Sequence, residues 1–157
     1  MPLLETLWQP EDIARLAPTS ETAYELAGLP PPRAWKMTEA YSLWHVPCGA
    51  LDRPLSWTLL GCYGVIVAGN HGHCLVLCGT PAKDYAQSFV RTIRRTMARE
   101  AAHHQIEALY AETRVSFRTG ARFLELLGFE ARTMLLEGPD DTLYIQYRWS
   151  PEKEHAS

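Results

Sequence analysis

The chain has 157 residues, a formal net charge of -3, and 46% hydrophobic and 21% charged residues. That is the size and composition of a single soluble globular domain, with no general attraction for nucleic acid or an anionic membrane surface. No apolar run approaches the roughly 20 residues of a membrane helix, and Met1-Pro2-Leu3-Leu4-Glu5 lacks the basic lead and apolar run of a secretory signal.

Pro10 at a first-turn position, with Glu11 and Asp12 at the positive end of the dipole, predicts a short helix through about Leu16. A second helix over residues 20–27 follows, capped by Ser20 or Thr19. Gly28-Leu29-Pro30-Pro31-Pro32 ends it, because none of those prolines continues a helical ladder. Residues 35–46, 55–68 and 73–79 are rich in aromatic and β-branched side chains and predict three strands. Asn70-His71-Gly72 is the expected turn of an antiparallel hairpin between the last two. Gly61 and Gly64 predict a bulge or a bend inside the middle strand.

Residues 84–105 predict the longest helix. Phe89, Ile93, Met97 and Ala101 recur every four positions as one apolar stripe, and Arg91, Arg94, Arg95 and Arg99 populate its other sides. Residues 106–111 predict a buried strand. Ser116 is the expected cap of a helix that carries Phe123, Leu124 and Leu127 and stops at Gly128. Strands over 129–136 and 142–149 follow, joined by a turn at Gly138-Pro139-Asp140-Asp141.

Antiparallel strands that then pass through a helical crossover make a mixed sheet covered by helices. The expectation is one domain over residues 1–157, with a helical entry over 1–33, a sheet-and-helix core over 34–149 and a flexible tail over 150–157. Its class is α+β, or mixed α/β: a mostly antiparallel sheet of about six or seven strands flanked by about four helices.

Cys48, Cys62, Cys74 and Cys78 lie in strand-like surroundings and are expected as free thiols of a reducing compartment. His71, His73, Cys74 and Cys78 offer nitrogen and sulfur donors. Cys74 and Cys78, however, sit about 13 Å apart on an extended strand and cannot share one ion, so no metal is expected. Arg114, Arg118 and Arg122 would share one side of the closing helix if its first turn begins early. A solvated face is the plain reading of that stripe and of the long helix's arginines. Trp35, Trp44 and Trp57 fall in predicted strands, where packing is the default. Trp8 and Trp149, near the termini, are candidates for anchoring to another chain.

The segment Gly120-Ala121-Arg122-Phe123-Leu124-Glu125-Leu126-Leu127-Gly128-Phe129 is an amphipathic helix ending on Gly-Phe, behind a long basic helix and an apolar strand. With the element order over residues 34–149, it resembles the closing motif of the GNAT (Gcn5-related N-acetyltransferase) fold. The resemblance implies a GNAT-like mixed sheet and, in active members, acetyl-CoA lying between the fourth and fifth strands. Its pyrophosphate would sit on backbone N–H groups at the start of the long helix, where glycines permit close approach and the dipole favours an anion. Here the region reads Thr80-Pro81-Ala82-Lys83-Asp84-Tyr85-Ala86-Gln87-Ser88-Phe89, with no glycine after Gly79 and with Asp84 and Tyr85 where a diphosphate would lie. Cys78, Gly79, Lys83, Gln87 and Ser88 are the candidate cofactor contacts that follow from the resemblance. Leu124 stands where the family's Phe-Tyr-Glu-x-x-Gly-Phe carries a general-acid Tyr. Candidate bases for an incoming amine are Glu107 or Glu112 on the fifth strand, or His45 on an earlier one.

The chain is also similar in length and element order to small GNAT-like proteins of short-tailed bacteriophages, which share the missing glycine loop and the Leu-Gly-Phe ending. That resemblance implies a catalytically degenerate structural or accessory protein of the virion or host cytoplasm. It would act through contacts with other proteins, virion components above all, and no cofactor would be expected. The alternative is an active acetyl-CoA-dependent N-acetyltransferase working on a primary amine.

Overall fold

The computed structural model describes residues 3–138 and 141–151. The expected turn at Pro139 and Asp140 and the tail beyond Pro151 lie outside the described residues. Seven strands form a sheet: β1 Leu4–Leu7, β2 Glu39–His45, β3 Thr58–Ala68, β4 His71–Cys78, β5 Ala108–Arg114, β6 Glu130–Glu137 and β7 Leu143–Trp149. Their order is β1-β2-β3-β4-β5-β7-β6. The α-helices are α1 Ser20–Ala27, α2 Ala86–His103 and α3 Arg118–Leu126. β1–β2, β2–β3, β5–β7 and β6–β7 pair antiparallel, while β4–β5 is parallel. A parallel neighbour requires a long crossover, and α2 supplies it. The expected mixed, mostly antiparallel sheet is therefore present. Among the described residues no helix is long and apolar enough to cross a membrane.

Several expected boundaries move. β1 went unread because a four-residue strand has too little pattern to declare itself; pairing with β2, from Leu4↔Trp44 to Leu7↔Tyr41, creates it. The first expected helix, Pro10–Arg15, is a 3-10 helix. Asp12 Oδ2 there accepts both from the Gln9 N–H (3.0 Å) and from Ser42 Oγ (2.7 Å). Two further 3-10 turns, Pro32–Ala34 and Pro54–Ser56, form where Pro presets the turn's φ, and the strands after them start later than expected, at Glu39 and Thr58. Trp35 and Trp57 thus close turns instead of standing in strands. The hairpin turn sits at Gly69 (φ +64°) and Asn70, which puts His71 and Gly72 inside β4. β5 runs on to Arg114, which removes that arginine from the closing helix and breaks the three-arginine stripe. Phe117, not Ser116, occupies the N-cap of α3, and it makes no side-chain cap bond.

The chain divides into two compact units, one of Met1–Val65 with Leu75–Phe89 and one of Ile66–Cys74 with Val90–Ser157. In the first, Leu16, Trp44, Leu59, Cys62 and Leu77 form a buried cluster, with Trp8, Trp35 and Trp57 packed against it. Trp8 stacks on Trp35 at 5.5 Å, and Trp57 meets Trp44 edge-on at 6.0 Å. Gly61 is required by a close approach: a Cβ there would lie 2.7 Å from the Leu77 carbonyl oxygen and 2.8 Å from the Phe89 ring. The register irregularity lies alongside it, between Leu43 and Trp44, while Gly64 keeps regular register opposite Ala40. In the second unit Leu109, Ala111, Leu124, Leu127, Phe129, Tyr147 and Trp149 are buried. Trp149 is only 1% exposed, and Trp8 is half-buried and stacked on Trp35 within its own unit. The stripe of α2 behaves as its spacing predicts, with Phe89, Ile93, Met97 and Ala101 all buried.

Candidate functional site

In the first unit the end of β4 is built from main-chain groups. The Gly79 N–H donates to the Leu60 carbonyl on β3 at 2.8 Å. Successive amides of an extended chain point to opposite edges, so those of Cys78 and Thr80 face away from β3. Residues 17–22 meet them there. The Thr80 N–H and its hydroxyl both donate to the Ala17 carbonyl, at 2.7 and 2.8 Å. The Thr19 N–H donates to the Cys78 carbonyl (3.4 Å), and the Cys78 N–H to Thr22 Oγ1 (3.3 Å). Pro18 and Gly79 face one another as an isolated antiparallel bridge. Thr22 is held in place by the start of α1: Thr19 Oγ1 accepts from the Thr22 N–H at 3.2 Å and donates to Thr22 Oγ1 at 3.1 Å. Thr19 is therefore the cap, one of the two residues the sequence offered.

The following segment differs from the expected first turn of a long helix. Thr80–Tyr85 winds as a 3-10 helix, and α2 begins only at Ala86. Lys83 and Asp84, both exposed, precede the α-helix, while Gln87 (exposed) and Ser88 (half-buried) lie in its first turn. The Ala82 N–H donates back to the Gly79 carbonyl at 3.1 Å, and Ala82 is buried. Tyr85 stacks on His45 with ring centroids 4.7 Å apart, so one face of the candidate base is covered by the tyrosine. All four cysteines are free thiols. Burial pushes Cys78 up to about 12, with the Glu21 carboxylate adding to the shift, which leaves a neutral, unreactive thiol.

In the second unit the polar groups are side chains. The parallel register sets His73 opposite Tyr110, and His73 reaches Glu112 two residues further along β5. His73 Nε2 and Glu112 Oε2 are 2.6 Å apart, and both side chains are partly exposed. This hydrogen bond raises the His73 pKa, with burial opposing and the carboxylate's charge adding to the rise. Glu107 is not with them: it precedes β5 and closes the hairpin turn, accepting from Asn70 Nδ2 at 2.8 Å. The His71 ring meets Tyr110 edge-on at 5.7 Å, Arg132 lies over the same tyrosine at 5.6 Å, and Arg132 donates to Gln146 at 2.7 Å. His71, His73, Cys74 and Cys78 thus form no ligand set. His73 is bonded to Glu112, and burial pushes the Cys74 thiol to about 12. Sequence reasoning named Glu112 but missed its partner; the period-two placement of His71 and His73 was the available signal, and the strand register was not.

The closing motif forms as its sequence suggests. Gly128 takes φ +99°, and the Phe129 N–H donates to the Leu124 carbonyl at 3.0 Å. Leu124 itself is buried in the hydrophobic interior. At Gly120 a Cβ would sit 2.5 Å from Thr113 Oγ1, so this helix lies on β5 too closely for any larger residue.

No family model matches the sequence, and no curated protein matches it. Solved structures do. A GNAT-family acetyltransferase from Bacillus anthracis aligns with a TM-score of 0.69 at 12% identity, covering 97% of this chain and 96% of that one. A chimera of spermidine N-acetyltransferase SpeG from Vibrio cholerae and hSSAT aligns with a TM-score of 0.68 at 13% identity, covering 100% of both chains. Ard1 from Thermoplasma volcanium aligns with a TM-score of 0.67 at 12% identity, covering 96% of this chain and 98% of that one. The chain has the GNAT fold.

Proposed function

We propose that this chain is a catalytically degenerate GNAT-fold protein that works by binding other proteins. A likeness in pattern to short-tailed-phage proteins is what supports putting that role in a virion, or in the host cytoplasm as an accessory factor. One observation carries the reading: the main-chain donors around the end of β4 are already used inside the chain. Cys78 donates to Thr22, Gly79 to Leu60, Thr80 to Ala17 and Ala82 to Gly79. A diphosphate needs several unpaired N–H groups with open backbone around them. The residues present do not fit one: there is no glycine beyond Gly79, the turn is a 3-10 helix, and Asp84 adds a negative charge. Leu124, buried and without a titratable hydrogen, supports the same reading.

Purified protein supplied with acetyl-CoA and a panel of primary amines, spermidine and peptides with free N-termini included, should release CoA no faster than buffer. Turnover above that background would replace this reading with the acetyltransferase one. That second reading is favoured by the His73–Glu112 pair, a partly exposed imidazole and carboxylate of the kind a general base uses.

A further inference from the structure

We propose that β6 is a self-association surface: two copies of this chain pair along it, antiparallel and edge to edge, about a two-fold axis at Leu135. The inference goes beyond the functional reading and does not depend on it. β6 ends the strand order, so one of its edges faces β7 and the other has no neighbouring strand among the described residues. Such an edge is a template for a further strand, and natural proteins blunt it by shortness, lysine, proline or a cover. The sheet's other end, β1, is short, at four residues. β6 has eight, Glu130-Ala131-Arg132-Thr133-Met134-Leu135-Leu136-Glu137, with neither lysine nor proline. All of them except Leu136 are exposed. Its one blunting device is the register irregularity between Ala131 and Leu135, beyond which Leu135, Leu136 and Glu137 pair regularly with β7.

The apolar side chains gather around that regular end. Leu135 is 59% exposed and Met134 44%. Leu143 on β7, also 44% exposed, shares a face with Leu135, which stands opposite Ile145. Large apolar groups this open in neighbouring positions mark a contact surface. A second copy fits it by its own symmetry. An antiparallel pair related by a two-fold axis across the sheet keeps the faces of both copies aligned, so only residues an even number apart meet. With the axis at Leu135, that leucine meets its counterpart, Leu136 meets Met134, and Glu137 meets Thr133. Apolar groups then cover apolar ones, and no two like charges are opposed. An axis at Arg132 or Glu137 would set arginine on arginine or glutamate on glutamate, and one at Ala131 would leave Leu135 uncovered.

Sedimentation velocity on the full chain tests this. The wild type should pass from monomer to dimer as its concentration rises, with a dissociation constant below about 1 mM. Leu135→Lys, which sets two ammonium groups against each other at the axis, should weaken the dimer at least about tenfold. Leu55→Lys should leave it unchanged, although Leu55 is the more exposed leucine at 93%. Amide hydrogen exchange locates the contact: the amides of residues 133–137 should slow at high protein concentration, and those of β1 should not. If Leu135→Lys fails to fold, as judged by circular dichroism, Met134→Lys takes its place. A monomer at every concentration up to about 1 mM would overturn the proposal. So would a dimer that survives Leu135→Lys, or one whose amide protection lies outside β6.

Discussion

At the end of β4 the polar groups are main-chain amides, and Cys78, Gly79, Thr80 and Ala82 each have a partner in their own unit. On the paired stretch of β4 and β5 in the other unit the polar groups are side chains, and His73, Glu112, Tyr110 and Arg132 remain partly or fully open to solvent. The difference teaches where a fold keeps chemical freedom. Short of proline, no substitution removes a main-chain donor, so a local chain path must close it, and residues 17–22 supply that path. Side chains on a strand face can be exchanged singly, and their state depends on pH. The first arrangement is set by topology and the second by composition.

The largest break in that comparison should come from the packing beneath the closed edge. Phe89 is 2% exposed, and its ring fills the space that Gly61 leaves. Phe89→Ala should cost about 3–5 kcal/mol, read as a lower urea midpoint, because the cavity cannot collapse onto a glycine. A loss below about 1 kcal/mol would mean that β3 and α2 relax freely there.

Placing a tyrosine at the Leu124 position is next in size. Leu124→Tyr places a hydroxyl at a buried site and should destabilise by about 1–3 kcal/mol. CoA release from acetyl-CoA should stay at background in that variant, and a gain of activity would show that the cofactor edge is open after all.

Removing the α1 cap sharpens the closed side. Thr19→Ala deletes the acceptor for the Thr22 N–H and the donor to Thr22 Oγ1, and should cost about 1 kcal/mol in thermal unfolding.

The smallest effect belongs to the open face. The folded-state pKa of His73 is raised, so its contribution is fully present below the unfolded value near 6.5 and is lost as pH rises through the folded pKa. Glu112→Gln should therefore destabilise the fold more at pH 5.5 than at pH 8.5, by at most about 1 kcal/mol for a solvent-screened pair, read from thermal unfolding at the two pH values. An equal loss at both pH values would assign the pair a packing role only.

Much of this was legible in residue patterns. The apolar stripe of α2 and the Gly-Phe ending of α3 are periodic or carry a glycine with positive φ, and both formed as read. What escaped depended on partners distant in sequence. β1 exists because Leu4 finds Trp44, and His73 matters because β4 and β5 share one particular register. The turn after β4 misled for a local reason, since Thr80-Pro81 winds a 3-10 helix before α2 can start. The candidate cofactor contacts follow from a resemblance of pattern, which carries no sign that the Cys78 and Gly79 amides already have acceptors in Thr22 and Leu60.

The most direct measurement is isothermal calorimetry of the full chain with CoA. An edge whose amides are held by Thr22 and Ala17 should give no binding heat at millimolar ligand. A saturable isotherm with a dissociation constant in the micromolar range, about 8 kcal/mol of binding free energy, would contradict the account.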